Sequence, residues 1–180
     1  MENLSDNKLF HKKQMIAGRV LLAIICFLIL VFIDQLTKYL VISNMNLYDT
    51  IPVIDHILSF HYIQNPGAAW GIFENKQVFF YICTILVLVF GIMFYLRCLT
   101  LEKYYDIQGL IVLVLAGAIG NFIDRIRFQY VIDFLCVEFI DFPIFNVADC
   151  YITIGLIFFF FILLFKYKEE DLEYLIQFKR

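Results

Sequence analysis

Four stretches of this chain are too apolar and too long to suit a domain surrounded by water. A helix that crosses the ~30 Å hydrocarbon layer of a bilayer needs about 20 predominantly apolar residues. Residues 17–42, 78–96, 107–127 and 146–165 have that length. The second carries no charge, and the third is uncharged as far as Ile123. Lipid offers no partner to a free N–H or C=O, so such segments must be helical. Composition agrees, since 17% of the residues are charged and 62% are hydrophobic, where a soluble domain carries about 25% charged residues. The expected fold class is an integral membrane α-helical protein, with four transmembrane helices in one domain over residues 1–180. The first segment follows Lys12, Lys13 and Arg19, as the core of a signal peptide would. Its apolar run continues into Asp34 and Lys38 with no small-residue cleavage site, so it is predicted to be a retained span.

Basic residues orient the spans. Lys8, Lys12, Lys13, Arg19, Arg97, Lys103, Lys166, Lys168, Lys179 and Arg180 fall on one side, and Lys38, Lys76, Arg125 and Arg127 on the other. The positive-inside rule then places both termini in the cytoplasm. Two extracytoplasmic connections remain, residues 43–77 and 128–145. In the first, "ILSFHYIQNPGAAWGIF" alternates and is rich in aromatic and β-branched residues. Short strands are predicted over Ile57–Ile63 and Ala69–Phe73, with a turn at Asn65-Pro66-Gly67 in which Gly67 supplies a positive φ. Tyr62, Trp70 and Phe73 suit the headgroup layer. A small β-rich cradle lying on the membrane is expected. Residues 1–14 are polar and expected to be mobile, and "KYKEEDLEYLIQFKR" at the C-terminus has the mixed charge of a short surface helix or of no structure.

The polar residues in and near the spans gather at the extracytoplasmic level. They are Asp34 with Lys38, Asn65, Asn121, Asp124 and Arg125, Asp133, and Asn146 with Asp149. Each costs free energy there unless it has a partner, which predicts convergence on one site. Gly117, Asn121 and Asp124 share a helix face, and Gly117 and Gly120 permit close helix approach. Asp34 and Lys38 are spaced for an i, i+4 pair. Asp124 beside Arg125 reads as an ion pair or capping network that fixes the helix end.

Several chemistries lack their residues. Net charge is −3, so no basic excess points to nucleic acid. The five cysteines form no CxxC and no zinc spacing, and His56 and His61 lack an HExxH frame, so neither metal nor cofactor is expected. There is no GxSxG, Ser43 and Ser59 sit in no recognisable nucleophile turn, and nothing supports a serine paired with Lys38 or Lys76. Two acids remain, Asp133 in "VIDFL" and Asp149 in "FNVAD", at either end of a short connection between antiparallel spans. Close together at the rim of lipid, they would share one proton, the ionised member activating water and the protonated one donating to a carbonyl. Spacing alone leaves other readings open: a solvated loop edge, a proton or ion carrier, a non-enzymatic scaffold, or a peptidase acting on unlipidated substrates.

Five blocks in order, "DQLTK" (34–38), "NPGAAWG" (65–71), "GAIGNFIDR" (117–125), "VIDF" (131–134) and "FPIFNVAD" (142–149), make nearly the whole chain resemble the lipoprotein signal peptidase (signal peptidase II) family of bacterial aspartic endopeptidases. The third block usually opens on two glycines, and here Ala116 precedes Gly117. The resemblance implies a catalytic pair at Asp133 and Asp149. It implies supporting roles for Asp34, Lys38, Asn65, Gly67, Asn121, Asp124, Arg125 and Asn146. It further implies cleavage of a diacylglyceryl-modified prolipoprotein just before its lipidated cysteine, at the outer surface of the bacterial plasma membrane. Globomycin, a cyclic peptide antibiotic, targets the family. The expected partners are the lipid-modified prolipoprotein and membrane lipid, with the enzyme itself a monomer.

Overall fold

The computed structural model describes residues 2–67, 76–99, 101–140 and 142–176. In chain order the elements are α1 (Glu2–Asn44), β1 (Thr50–Ile54), β2 (Leu58–Asn65), α2 (Gln77–Cys98), α3 (Tyr105–Phe128), β3 (Val131–Val137), α4 (Val147–Phe165) and α5 (Glu169–Ile176). Among the described residues, four helical stretches have the length and hydropathy to cross a membrane: Phe10–Asn44, Gln77–Cys98, Glu102–Phe128 and Val147–Phe165. The strand predicted over Ala69–Phe73, with Trp70 and Phe73, lies outside the described residues.

Helix α3 is the hub. Half of its most apolar window is buried, against 6%, 0% and 11% for the first, second and fourth spans. The other three spans pack around it and turn their large apolar side chains outward, as lipid-facing helices must. The small residues of α3 set the distances. A Cβ at Gly117 would strike the carbonyl oxygen of Ala148 on α4. At Gly120 it would strike the carboxylate of Asp34 on α1. Ala116, the departure from the family's usual glycine, is fully buried beside them.

Helix α1 is longer than a span. Its 43 residues extend about 64 Å at 1.5 Å per residue, roughly twice the hydrocarbon thickness. Residues 2–14, expected to be mobile, continue the helix instead; no proline or glycine interrupts the chain before Gly18. At the same end of the bundle, the C-terminal tail forms α5. It docks through buried Leu175 and through Tyr104, whose hydroxyl donates to the Asp171 carbonyl at 3.1 Å.

At the opposite end lies an antiparallel sheet of order β1-β2-β3. Strand β2 matches its predicted position to within two residues at either end. Neither β1 nor β3 was expected. Strand β1 contains Pro52, which argues against a central strand, but β1 is an edge, where a missing N–H is tolerated. Strand β3 belongs to the second loop and pairs with β2 of the first, Ile63 opposite Asp133 and Asn65 opposite Val131. The sheet therefore staples the two extramembrane connections together. It rests on the end of α1 through Val41, Met45, Tyr62, Ile132 and Phe134.

Candidate active site

Three local devices carry the acids to one place. Helix α3 ends in a left-handed cap at Gln129 (φ 67°), whose N–H bonds the Arg125 carbonyl at 3.0 Å. The chain then enters β3 almost at once, and the Ile132 N–H donates to Asp124 Oδ2 at 3.3 Å. Asp133 is thus buried against the helix end, 2% exposed. Past the connection, Phe145 pairs back onto Leu135, its N–H to the Leu135 carbonyl at 3.0 Å and its carbonyl accepting from the Leu135 N–H at 2.7 Å. That pairing delivers Asn146 to the start of α4. There Asn146 and Asp149 form a capping box: the Asp149 N–H donates to Asn146 Oδ1 at 3.0 Å and the Asn146 N–H to Asp149 Oδ2 at 3.1 Å. An apolar span opens with an amide and an acid because those two groups cap it.

Asn146 also bridges the two acids. Its Nδ2 donates to Asp133 Oδ1 at 2.6 Å while its backbone N–H holds Asp149. Asn65, diagonal to Asp133 across the β2–β3 pair, donates Nδ2 to Asp133 Oδ2 at 2.8 Å. Asn121 on α3 donates Nδ2 to Asp149 Oδ1 at 2.7 Å. Every carboxylate oxygen of the pair therefore receives a donor. Burial, reinforced by the charge of Asp149, pushes the Asp133 carboxyl up to about 7.

Beneath the pair sits Lys38, 1% exposed. Its ammonium contacts Asp34 Oδ2 at 3.0 Å, Asp124 Oδ2 at 2.9 Å and Asn121 Oδ1 at 3.0 Å. Three donors meet three acceptors. An ammonium can only donate, so the Asn121 oxygen must face Lys38 and its NH2 must face Asp149. One buried cation thereby sets the polarity of the network above it. Asp34 Oδ1 in turn accepts the Ala148 N–H at 2.9 Å, anchoring the first turn of α4.

Each residue the sequence assigned to the site falls in or beside this cluster, but one pairing differs from expectation. The ion-pair partner of Asp124 is Lys38, four residues from Asp34, and not the adjacent Arg125. Neighbours in sequence leave a helix about 100° apart, so Arg125 points elsewhere. It lies over the Phe80 ring at 4.2 Å and donates to the Gly67 carbonyl at 3.0 Å. With Gln77, which donates to the Pro66 carbonyl at 3.1 Å, it pins the turn that carries Asn65. Sequence reasoning missed Gln35, which donates to Asp34 Oδ2 at 3.1 Å and Asp124 Oδ1 at 3.0 Å. The available signal was an amide inside an apolar span, beside an acid.

Both acids line a cavity of about 570 Å³ with Asn65, Gly67, Asn121 and Arg125. Its other wall is largely apolar, formed by Phe142, Pro143, Ile144 and, down one face of α4, Cys150, Thr153 and Ile154. No group of three His, Cys, Asp or Glu with metal-binding geometry occurs among the described residues. The arrangement can seat an extended apolar segment with its backbone at the two carboxyls.

Residues 26–165 match a family model described as signal peptidase (SPase) II. The lipoprotein signal peptidase of Streptococcus pyogenes serotype M1 is 41% identical over 152 residues, covering 83% of this chain and 95% of that protein. The protein of the same description from S. pyogenes serotype M5 (strain Manfredo) shows the same identity and coverage. Two solved structures, each described as a bacterial membrane enzyme by the in meso method, superpose with TM-scores of 0.73 and 0.70 at 39% identity. They cover 82% and 81% of this chain and 92% and 94% of their own.

Proposed function

Because this chain belongs to the signal peptidase II family, we propose that it is an aspartic endopeptidase that frees diacylglyceryl-modified prolipoproteins of their signal peptides, cutting just before the lipidated cysteine. The observation that carries the chemistry is the bridging of Asp133 and Asp149 by one residue, Asn146, at the wall of one cavity. The raised Asp133 keeps its proton near neutral pH and hydrogen-bonds the scissile carbonyl oxygen. Asp149, at the positive end of the α4 dipole, serves as the carboxylate. It takes a proton from a water molecule whose oxygen attacks the carbonyl carbon, while Asp133 passes its proton to the carbonyl oxygen. The resulting gem-diol collapses as Asp149 delivers its proton to the leaving nitrogen, the C–N bond breaks, and Asp133 recovers a proton from a hydroxyl. The pair ends as it began, with one proton and no covalent intermediate.

The substrate reading is supported by depth and lining. The acids stand at the sheet end of the bundle, which the basic-residue asymmetry assigns to the extracytoplasmic side, with the termini cytoplasmic. There a signal helix leaves lipid for headgroups. The apolar wall down α4 suits a chain already bearing acyl groups. Asn65 and Asn146 orient Asp133, Asn121 and Asn146 orient Asp149, and Lys38, Asp34 and Asp124 hold Asn121 and α4 in place. Arg125 and Gly67 shape the rim beside Asn65. The expected result in a reconstituted assay is that diacylglyceryl-modified prolipoprotein is cleaved with kcat/KM on the order of 100-fold above the unmodified precursor, because the acyl chains hold the reacting bond at the site. Equal rates for the two would remove the lipid from the proposal.

A second expectation follows from Asp133. Its native carboxyl titrates near 7 and its unfolded one near 3.8. Between those values the folded state holds a proton that the unfolded chain has lost. This group's stabilising contribution is complete below about pH 4 and is lost as pH rises towards 7, at no more than about 1.4 kcal/mol per pH unit. Processing rate should fall above pH 7, where the native Asp133 loses the proton it donates. A rate flat from pH 6 to 9, with binding and chemistry measured separately, would contradict this assignment of the proton.

A further inference from the structure

At the end of the bundle away from the acids, Arg19 is buried, 4% exposed, on a helix surface that otherwise faces lipid. Its Nη1 donates to the Leu99 carbonyl at 3.3 Å, and its Nη2 meets Met15 Sδ at 3.4 Å and Glu102 Oε1 at 3.3 Å. The Tyr105 ring covers the guanidinium at 4.3 Å. Two features are left over. The Nε–H is buried with no acceptor among the described residues. Among the described residues the charge is balanced only by Glu102, whose side chain is 71% exposed and so largely screened by water.

Arg19 heads a groove of about 260 Å³ between α1 and α3. Leu22, Cys26 and Leu30 line one side, and Gly109, Val112 and Leu113 the other. From Arg19 to Leu30 the groove runs about 16 Å along α1, half the hydrocarbon thickness and hence one leaflet. Arg19 stands about 22 Å along α1 from Asp34, which places it near the opposite headgroup layer. Gly109 keeps the groove open, since a Cβ there would meet no atom within 4 Å. Two turns nearer the helix start, exposed Lys12 lies on the same face as Arg19.

We propose that this groove is a binding site for one anionic phospholipid, with its phosphate on Arg19 and one acyl chain along α1 and α3. An unfilled guanidinium donor at the head of an apolar slot one leaflet deep matches a phosphate joined to an acyl chain, and arginine suits phosphate through its planar fork. Lys12 favours a headgroup with net negative charge over a zwitterionic one. The site lies apart from the acids, so it stands or falls independently of the peptidase assignment.

The test is thermal melting of the purified full chain in neutral micelles carrying phosphatidylglycerol, phosphatidylcholine or inorganic phosphate, for the parent and for Gly109→Leu. The variant fills the groove yet leaves every bond of Arg19 intact. The parent should melt roughly 4 °C or more higher with phosphatidylglycerol than with phosphatidylcholine. In Gly109→Leu that increment should vanish, while its melting point in phosphatidylcholine equals or exceeds the parent's. An equal shift with phosphatidylcholine, a shift with phosphate alone, or an undiminished increment in Gly109→Leu would each overturn the proposal.

Discussion

Asp133→Asn and Asp149→Asn are each expected to lower the processing rate by at least about 10⁴-fold, with the protein still folded. Neither asparagine can carry a proton to or from the reacting atoms. In the proposed mechanism the two acids act as a unit, so the double variant should be no slower than either single one. The structural cost is small by comparison. Each carboxylate oxygen of the pair accepts a hydrogen bond, so asparagine sets one NH2 against a donor: Asn65 or Asn146 at position 133, Asn121 or the Asn146 N–H at position 149. One such mismatch costs about 1–2 kcal/mol, or roughly 5 °C in melting temperature, and at position 149 the lost buried charge offsets part of it. Cleavage of a lipidated precursor, followed beside a melting curve, separates the two effects. Retention of a tenth of the parental rate by either variant would refute the dyad.

Lys38→Met should have the largest effect on stability. The ammonium stands between Asp34 and Asp124, both fully buried, and Asn121. Without it two carboxylates face each other in a dry interior, and the Asn121 oxygen keeps only the Asn146 amide of its two donors. Removing one partner of a buried ion pair costs about 3–5 kcal/mol, a large part of a typical 5–15 kcal/mol total. The variant should melt at least 10 °C lower or fail to accumulate in the membrane. Rescue distinguishes charge from lost packing. Lys38→Met combined with Asp34→Asn and Asp124→Asn carries no buried charge in this cluster, and should recover most of the loss. If the triple variant is no more stable than the single one, the electrostatic account of the cluster fails. Activity tells the rest, for the Asn121 amide that donates to Asp149 is then oriented by Asn146 alone.

The helices could be read from the chain because their determinants are local. Length and hydropathy place the second, third and fourth helices within two residues, though α1 starts well before the predicted residue 17, and the glycines of α3 announce close packing wherever its partners lie. The acids could be read for a related reason. Lipid tolerates few polar groups, so the residues that break an apolar pattern, Asp34, Asn121, Asp124, Asn146 and Asp149, are informative by rarity. Strand β3 could not be read, since its partner strand lies about 70 residues earlier and its own sequence carries an acid where an apolar residue would mark a strand. Nor could the role of Gln35, whose three acceptors lie on two different helices.

What the sequence determined by itself was solvent and span: a chain made for lipid, with its costly groups drawn to one end of the bundle. What only the tertiary structure decided was who bonds whom. Asp124 took Lys38 over the adjacent Arg125, Arg125 turned to the Gly67 carbonyl, and Asn146 took hold of both acids. Periodicity assigns a residue to a face of its own helix, but the rotation of that helix against its neighbours settles which atom lies within 3 Å. That rotation is fixed by close approaches such as Gly120 on Asp34, summed over the whole bundle.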